Sequence, residues 1–143
     1  MNICPYTIDH YDDVMALMRR TPGIAIRDAD SRSATERYLA RNPRMSFLAI
    51  DDGRVVACAM CGHDGRRGYL QHVIVDDAYR GKGLADELVE RCLAELRSVG
   101  IDKTHLDVFV ENDLANRYWT RRGWQKRTDI FRYSMNRSGS DDV

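Results

Sequence analysis

The sequence lacks three features that would direct a protein to a membrane, to secretion or to nucleic acid. No stretch approaches the roughly 20 consecutive apolar residues of a transmembrane helix. Residues 1–7 have no basic region followed by an apolar run, which is the pattern of a secretion signal. Lysine plus arginine number 22 and aspartate plus glutamate also number 22, so no net charge attracts nucleic acid or an anionic membrane. We therefore expect a cytoplasmic protein with no nucleic-acid or membrane partner.

The cysteines are scattered and are not arranged as a metal site. The four cysteines are Cys4, Cys58, Cys61 and Cys92, and the two-residue gap between Cys58 and Cys61 is that of a zinc knuckle. No second Cys or His pair completes four ligands, and residues three apart in a strand point to opposite faces. We expect no metal, and reduced thiols that pack as small hydrophobic side chains.

The length and composition suit one domain. The chain has 143 residues, of which 43% are hydrophobic, enough to bury one core. No repeat, low-complexity linker or change in composition divides it. We expect a single domain over residues 1–136 and a flexible polar tail over residues 137–143.

The periodicity of the apolar residues predicts an α/β (α+β) protein with the element order βααβββαβαβ. Asp52-Gly53 predicts a tight hairpin turn, and the capping-box spacing of Ser33 to Glu36 predicts the start of the second helix. Strands joined by hairpins, followed by a strand–helix–strand unit, predict a mixed, mostly antiparallel sheet with helices on both faces. The predicted strands are 3–8, 47–50, 55–60, 69–75, 104–110 and 130–135, and the most regular predicted helix covers 82–99.

A basic, glycine-rich turn joins the strand that ends at Val75 to that helix. The turn runs through Arg80-Gly81-Lys82-Gly83 into the helix. The start of a helix leaves backbone N–H groups unpaired and carries a partial positive charge, and glycines let the backbone approach a ligand. The turn therefore predicts a phosphate-binding site. Glycines at such a turn also arise for packing alone, and spacing does not separate the two interpretations.

Two other phosphate-binding patterns compete for this turn. A nucleotide P-loop needs Ser or Thr after Gly-Lys, where this chain has Gly83. A dinucleotide fingerprint needs a third glycine three residues after the second, where this chain has Asp86. The first pattern fails, and the second is weakened without being excluded.

Two blocks of sequence resemble the GNAT superfamily of N-acetyltransferases. Residues Arg80 to Ala85 resemble its Arg/Gln-x-x-Gly-x-Gly/Ala signature, and Asn112 to Trp124 resembles a second family block at the family's distance from the first. The resemblance extends over residues 3–135, and the chain is similar to small single-domain bacterial members such as the ribosomal-protein alanine acetyltransferases. It implies the GNAT fold, in which the sheet is splayed at the cofactor site.

The resemblance implies acetyl-CoA as cosubstrate and a primary amine as acceptor, on a protein N-terminus, a lysine or a small metabolite. The turn backbone would hold the CoA diphosphate, and the preceding strand would pair with the pantetheine arm. Members of the family often dimerise, so we also expect that a homodimer can form. The side chain of Asn112 is equally interpreted as a plain helix cap. The residues assigned to the cofactor are Val73, Ile74, Val75, Arg80, Gly81, Lys82, Gly83, Leu84, Ala85, Asn112 and Trp119.

The resemblance also implies direct attack by the amine on the thioester, with a base and an acid to move protons. Asp107 is the first candidate base, because Leu106-Asp107-Val108 resembles the Leu-Glu-Val of the ribosomal-protein enzymes; an outward-facing strand residue is the alternative. Trp119 stands where many members have a tyrosine acid, and an indole N–H does not ionise near neutral pH. Tyr118 is then the candidate acid, with core packing as its alternative, unless solvent protonates the thiolate.

The resemblance leaves a second function open. A CoA-binding or CoA-sensing module of weak catalytic activity is the alternative to an enzyme, because Trp119 stands where many members of the family have a tyrosine acid. Free thiol released from acetyl-CoA in the presence of amines separates the two.

The strand before the turn is another place where relatives of this family carry a base. By the two-residue period of a strand, His72 lies on the face of Leu70 and Ile74, opposite Val73 and Val75. We therefore expect a structural role for His72. The irregular segments 21–30 and 62–68 are candidates for the walls of the acceptor site.

Overall fold

The computed structural model describes residues 1–143. Short 3₁₀ turns cover Ile8–His10, Asp28–Asp30 and Asp77–Tyr79. None of the helices combines the length and the apolar character that crossing a bilayer requires. The strands are β1 Asn2–Pro5, β2 Phe47–Asp51, β3 Arg54–His63, β4 Gly68–Val75 and β5 Thr104–His105, and the helices are α1 Tyr11–Arg19, α2 Arg32–Arg41, α3 Leu84–Ser98 and α4 Asp113–Arg121.

The five strands form one sheet in the order β1-β2-β3-β4-β5. The first four strands pair antiparallel, and β5 joins β4 in parallel. The β2–β3 hairpin turns at Asp52 and Gly53, whose φ angles are 51° and 71°. Two left-handed residues give a two-residue turn the twist that matches its strands, as the Asp-Gly pair predicts. The predicted mixed, mostly antiparallel sheet is confirmed.

The core lies on both faces of β3, which is buried from its second residue to its ninth. On one face, Cys58 and Met60 belong to a buried cluster with Leu17 of α1. On the other face, the Cys92 sulfur of α3 lies 4.0 Å from the carbonyl oxygen of Ala59. All four cysteines are free thiols. Helices therefore cover both faces of the sheet, as the sequence predicts.

The pattern of α3 explains its position. Leu84, Leu88, Cys92 and Leu96 recur every fourth residue and are all buried. Burying one leucine side chain contributes about 1.5–3 kcal/mol, so this stripe fixes the helix on the sheet. The helix ends where Gly100 adopts a φ of 86°, the left-handed conformation usual after a helix C-terminus.

The chain divides into two compact units. Unit 1 comprises residues 1–106 with Asp142 and contains the sheet and α1 to α3. Unit 2 comprises residues 107–141 with Val143 and contains α4. The family resemblance extends over both, and the expected single domain over residues 1–136 stays a prediction.

Two predicted strands differ from the structure. The strand predicted at 104–110 ends at His105, and the strand predicted at 130–135 does not form. A strand is stable only beside another strand that pairs with its backbone. Within unit 2, residues 107–110 offer no such edge, and Phe131 and Tyr133 are 88% and 92% exposed. Alternating apolar residues are therefore insufficient to form a strand where no neighbouring strand pairs with the backbone.

The start of α2 also differs from the prediction. Ser31 rather than Ser33 caps the helix, and its Oγ accepts a hydrogen bond from the Ala34 N–H at 3.2 Å. The 3₁₀ turn Asp28–Asp30 leads Ser31 into the extended conformation that an N-cap requires, so the helix begins at Arg32.

Candidate active site

A β-bulge interrupts β4 at its centre. Cys58 of β3 pairs with Ile74 and Met60 pairs with Gln71, so one residue of β3 lies opposite two of β4. The extra residue is His72, which has a φ of 48°. Such a left-handed conformation costs a residue with a Cβ roughly 1–2 kcal/mol.

The bulge reverses which residues share a face of β4. Paired residues in adjacent strands point to the same face, and Leu70 pairs with Cys61, whereas Ile74 pairs with Cys58. Cys58 and Cys61 lie on opposite faces, so Leu70 and Ile74 do too. The expectation that His72 shares one face with both residues is therefore wrong, because it assumed an unbroken two-residue period.

The bulge brings His72 against Asp30 at the end of the segment 21–30. His72 Nε2 lies 2.7 Å from Asp30 Oδ1, and the two side chains are only 19% and 10% exposed. Asp30 Oδ2 accepts a second hydrogen bond from the Arg27 N–H at 2.8 Å, and the Tyr11 hydroxyl donates to the Asp30 carbonyl oxygen. Sequence analysis missed this pair because 42 residues separate its members and only the bulge joins them.

One edge of β4 has no strand beside it along most of its length. The parallel pairing with β5 consists of Gly68 with Thr104 and Tyr69 with His105, and it stops there. From residue 70 to Val75 the backbone on this side is therefore outside the sheet ladder. Ile74 is 3% exposed and packs in the core, whereas Val73 and Val75 are half-buried. The segment has an edge that no strand pairs with, and an extended chain can add to such an edge.

The turn after β4 is fixed to the sheet through Asp76. Its N–H donates to the Val56 carbonyl oxygen at 2.8 Å, and its Oδ1 accepts from the Ala78 N–H at 3.1 Å. Its Oδ2 accepts from Arg20 Nε at 2.9 Å. The hydrogen bond from Ala78 and then that from Arg20 lower the pKa of Asp76, so the carboxylate stays charged and holds the turn at neutral pH.

The glycines of the turn are required by backbone conformation and not by packing. Gly81 and Gly83 both have a φ of 77°, and a Cβ added at either would meet no atom within 4 Å. The first backbone bond of α3 runs from the Glu87 N–H to the Gly83 carbonyl oxygen, so the N–H groups of Leu84 and Ala85 precede the helical ladder. The turn thus presents open backbone and the positive end of a helix dipole.

The two cations of the turn lie at its surface. Arg80 Nε is 3.2 Å from Asp77 Oδ1 and 3.3 Å from the Val75 carbonyl oxygen. The Lys82 amine lies 5.1 Å from the ring centroid of Tyr79, whose hydroxyl donates to Asp51 Oδ2 at 2.6 Å. Both side chains are flexible enough to reach a ligand at the start of α3. The predicted residues 73–75 and 80–85 therefore surround one end of β4.

Two of the predicted residues in unit 2 have clear local roles. Asn112 is the N-cap of α4, and its Oδ1 accepts from the Ala115 N–H at 3.1 Å. Asp107 lies in irregular backbone, where its Oδ1 is 3.1 Å from Arg132 Nη2, and both side chains are more than half exposed. The helix-cap interpretation of Asn112 is confirmed, and its contact with a cofactor stays a prediction.

The aromatic residues of α4 pack on one another. The Trp119 ring lies 5.0 Å from those of Tyr118 and Trp124, edge-on to each. The Arg122 guanidinium lies 5.7 Å from the centroid of the Tyr118 ring. Such edge-to-face pairs are worth about 0.5–1.5 kcal/mol beyond the buried area. Packing thus accounts for both rings, and the catalytic role of Tyr118 stays a prediction.

No group of three His, Cys, Asp or Glu side chains that could hold a metal ion is found in the structure.

Comparison with known proteins identifies the family. The model of the acetyltransferase (GNAT) family matches residues 11–124, and the chain belongs to that family. An acetyltransferase of Sodalis glossinidius is 32% identical over 113 residues, which cover 79% of each chain. N-alpha-acetyltransferase 30 of Schizosaccharomyces pombe is 24% identical over 141 residues, which cover 95% of this chain and 91% of the yeast protein.

Solved structures share the fold at low sequence identity. AAC(6')-Iy, an aminoglycoside N-acetyltransferase, superposes in its complex with the bisubstrate analog CoA-S-monomethyl-acetylneamine with a TM-score of 0.72 at 18% identity, covering 94% of this chain and 97% of the other. A predicted acetyltransferase of Clostridium acetobutylicum with acetyl-CoA superposes with a TM-score of 0.72 at 16% identity, covering 93% and 95%.

These comparisons confirm the GNAT fold and the class of acyl-CoA-dependent N-acetyltransferase. The nearer relationship to ribosomal-protein alanine acetyltransferases, the cytoplasmic location and the homodimer stay predictions.

Proposed function

We propose that this enzyme transfers the acetyl group of acetyl-CoA to the α-amino group at a protein N-terminus, by direct attack of the amine on the thioester. The observation that carries the proposal is the open glycine turn at the start of α3, next to the unpaired edge of β4.

The diphosphate of CoA suits the glycine turn. Backbone N–H groups at the start of α3 and the helix dipole favour an anion, and each such contact is worth about 0.3–1 kcal/mol. Arg80 and Lys82 add charge-assisted hydrogen bonds. The packing interpretation of the glycines loses support, because no atom lies where their Cβ atoms would be. A left-handed φ at both positions supports the approach of a ligand to the bare backbone instead.

The pantetheine arm suits the free edge of β4. The arm carries two amides, and an extended chain with amides adds to a sheet edge through backbone hydrogen bonds. Since β4 runs directly into the turn, an arm that leaves a diphosphate there passes Val75 and then Val73. The cofactor-binding roles of residues 73–75 and 80–85 follow from this path, with Asn112 and Trp119 added on the resemblance alone.

The acceptor is proposed from the relatives. Several are named N-alpha-acetyltransferases, from Schizosaccharomyces pombe, Arabidopsis thaliana and Saccharomyces cerevisiae. Aminoglycoside enzymes with the same fold make a small amine the competing acceptor. On the resemblance, Asp107 is a candidate base and Tyr118 a candidate acid for the transfer.

An acceptor screen coupled to detection of free thiol tests the proposal. The panel contains a peptide with a free N-terminus, an N-terminally blocked peptide with one lysine, and an aminoglycoside. We expect CoA release with the first peptide and little with the blocked one. Faster release with the aminoglycoside would overturn the acceptor class. CoA binding without release from any amine would instead support the sensing module suggested by Trp119.

A further inference from the structure

The His72–Asp30 pair joins two parts of unit 1 that the sequence keeps apart, and the charges of the pair decide which histidine nitrogen carries the proton. Burial raises the pKa of Asp30. The hydrogen bonds from His72 and the Arg27 N–H lower this pKa by more than burial raises it, so the net pKa lies below its ordinary value. Asp30 is therefore a carboxylate at neutral pH and can only accept. His72 Nε2 must donate the 2.7 Å hydrogen bond.

This hydrogen bond fixes the tautomer of the neutral imidazole. With its proton on Nε2, the ring keeps a lone pair on Nδ1, which is the state that can take up a proton. An acidic side chain that orients a histidine in this way is a recurring arrangement for a general base. Asp30 is itself held by the Arg27 N–H and, through its carbonyl oxygen, by the Tyr11 hydroxyl. The carboxylate is thus positioned before any substrate binds.

His72 lies within the part of β4 whose second edge has no paired strand. His72 adopts its left-handed conformation in the middle of a strand, and strained residues of this kind persist only where their surroundings hold them. His72 directly precedes Val73. A pantetheine arm that runs from the glycine turn along Val75 and Val73, as proposed above, would carry its thioester towards this residue.

We propose that His72 is the general base of this enzyme and that Asp30 is its positioning residue. The proposal rests on the proposed acetyl transfer and gives to His72 the role that the resemblance gives to Asp107. The amine nitrogen forms a bond to the thioester carbonyl carbon, the carbon–sulfur bond breaks, and its electron pair leaves with the sulfur. Nδ1 accepts the proton released by the amine and passes it to solvent, and the CoA thiolate takes a proton from solvent.

The other charged groups around the pair do not compete for this role. Arg32, at the start of α2, lies 5.5 Å from the Tyr11 ring centroid. Tyr6, which follows β1, interacts electrostatically with Asp30, and burial raises the pKa of its hydroxyl, so it is neutral. Arg27 contacts Asp30 through its backbone. Asp30 is therefore the anion that faces the ring, while Asp107 of unit 2 is exposed and paired with Arg132.

Two substitutions remove the base while preserving the hydrogen bonds around it. In His72→Gln the amide N–H₂ can still donate to Asp30, but no group can take up a proton. In Asp30→Asn one amide oxygen can still accept from the Arg27 N–H, and the N–H₂ then faces Nε2 and forces the ring proton onto Nδ1. His10→Gln, at a partly buried histidine of the 3₁₀ turn before α1, is the matched control, and the Gln side chain can still accept from the Thr7 N–H as His10 Nδ1 does.

The readouts are kcat, the KM for acetyl-CoA and the pH profile with the N-terminal peptide. We expect His72→Gln to lower kcat about 100-fold near pH 7 and Asp30→Asn to lower it at least about 10-fold, with CoA affinity unchanged. The defect of His72→Gln should shrink towards about pH 9.5, because an α-amino group of pKa about 8 then loses its proton to water. A structural role would not respond to pH in this way. His10→Gln should match wild type throughout.

The outcomes separate this inference from the proposed function. A wild-type enzyme that releases no CoA with any amine would remove the proposed function. If the wild type is active and the His72→Gln variant keeps both its kcat and its pH profile, the assignment of His72 as the base is overturned while the acetyl transfer stands. A roughly 100-fold loss of kcat in Asp107→Asn, with His72→Gln unaffected, would have the same consequence. If His72→Gln does not fold, His72→Gly suits the φ of 48°. Added imidazole should then restore its activity, and failure to do so would overturn the inference.

Discussion

Gly83→Glu tests the phosphate role of the turn most directly. The substitution adds a carboxylate at the N-cap position of α3, where we place the CoA diphosphate. A Cβ at this position meets no atom within 4 Å, so the first side-chain atom causes no steric clash in the free protein. It does impose strain, because the φ of 77° is unfavourable for a residue with a Cβ. Gly83→Ala has the same strain without the charge.

The expected magnitude comes from charge repulsion. Two like charges about 4 Å apart near a protein surface interact by about 1–4 kcal/mol, depending on solvent screening. A carboxylate beside two phosphate charges should therefore weaken CoA binding by about 2–4 kcal/mol, or roughly 30-fold to several hundred-fold in Kd. The shared strain should cost each variant about 1–2 kcal/mol of folding free energy. Most domains have enough stability to remain folded.

Calorimetric titration with CoA, together with urea unfolding, provides the assay. Gly100→Glu is the matched control. Gly100 also has a positive φ, of 86°, and no atom within 4 Å of a Cβ position, but it lies beyond the opposite end of α3. We expect Gly83→Glu to lose binding while Gly83→Ala and Gly100→Glu change Kd less than about 5-fold. Equal CoA affinity in Gly83→Glu and Gly83→Ala would refute the reasoning, since charge at this position would then not matter.

Three further predictions concern packing, catalysis and pH. A Cβ on Gly68 would lie 2.5 Å from a methyl group of Leu96, so Gly68→Ala should lower the free energy of unfolding in urea by about 1–3 kcal/mol; an unchanged midpoint would contradict this. Asp107→Asn should lower kcat less than about 3-fold, because we assign the proton uptake to His72 and not to Asp107, whose carboxylate is paired with Arg132; a larger loss would return the role of base to Asp107. The pKa of Asp30 is lowered in the folded state, so its stabilising effect is complete above about pH 5 and is lost as pH falls below about 4. Urea unfolding of wild type and Asp30→Asn should therefore converge at low pH, and a constant difference would exclude this linkage.

Local signals in the sequence predicted the parts of the fold that depend on a few neighbouring residues. Asp52-Gly53 predicted the hairpin because few other pairs adopt two positive φ angles at low cost. Leu88 and Cys92 lie on a stripe of helical period that predicted α3 to within two residues at each end. Asn112 predicted the start of α4 through its capping side chain.

The predictions that were wrong concern features that depend on residues distant in the sequence. The bulge at His72 arises from its register with β3, and no local pattern in β4 marks it. Its contact with Asp30 could not be predicted for the same reason. The segment 130–135 alternates like a strand, yet within unit 2 no neighbouring strand exists to pair with it. Register and edge availability are properties of the assembled sheet, so one segment does not reveal them.

Left-handed residues occur at the bulge in the middle of β4 and in the turn after β4, and the chain uses different residue types at the two places. Gly81 and Gly83 have no neighbours near a Cβ position, so nothing would offset the strain of a larger residue there. His72 has a side chain despite a similar φ, and its hydrogen bond to a charged partner is worth about 1.5–3 kcal/mol, enough to offset a strain of about 1–2 kcal/mol. A turn that must present bare backbone needs glycine, whereas a bulge that must aim an imidazole needs both histidine and the carboxylate that holds it. This contrast is the reason to look for phosphate at the glycine turn and for proton transfer at the bulge of β4.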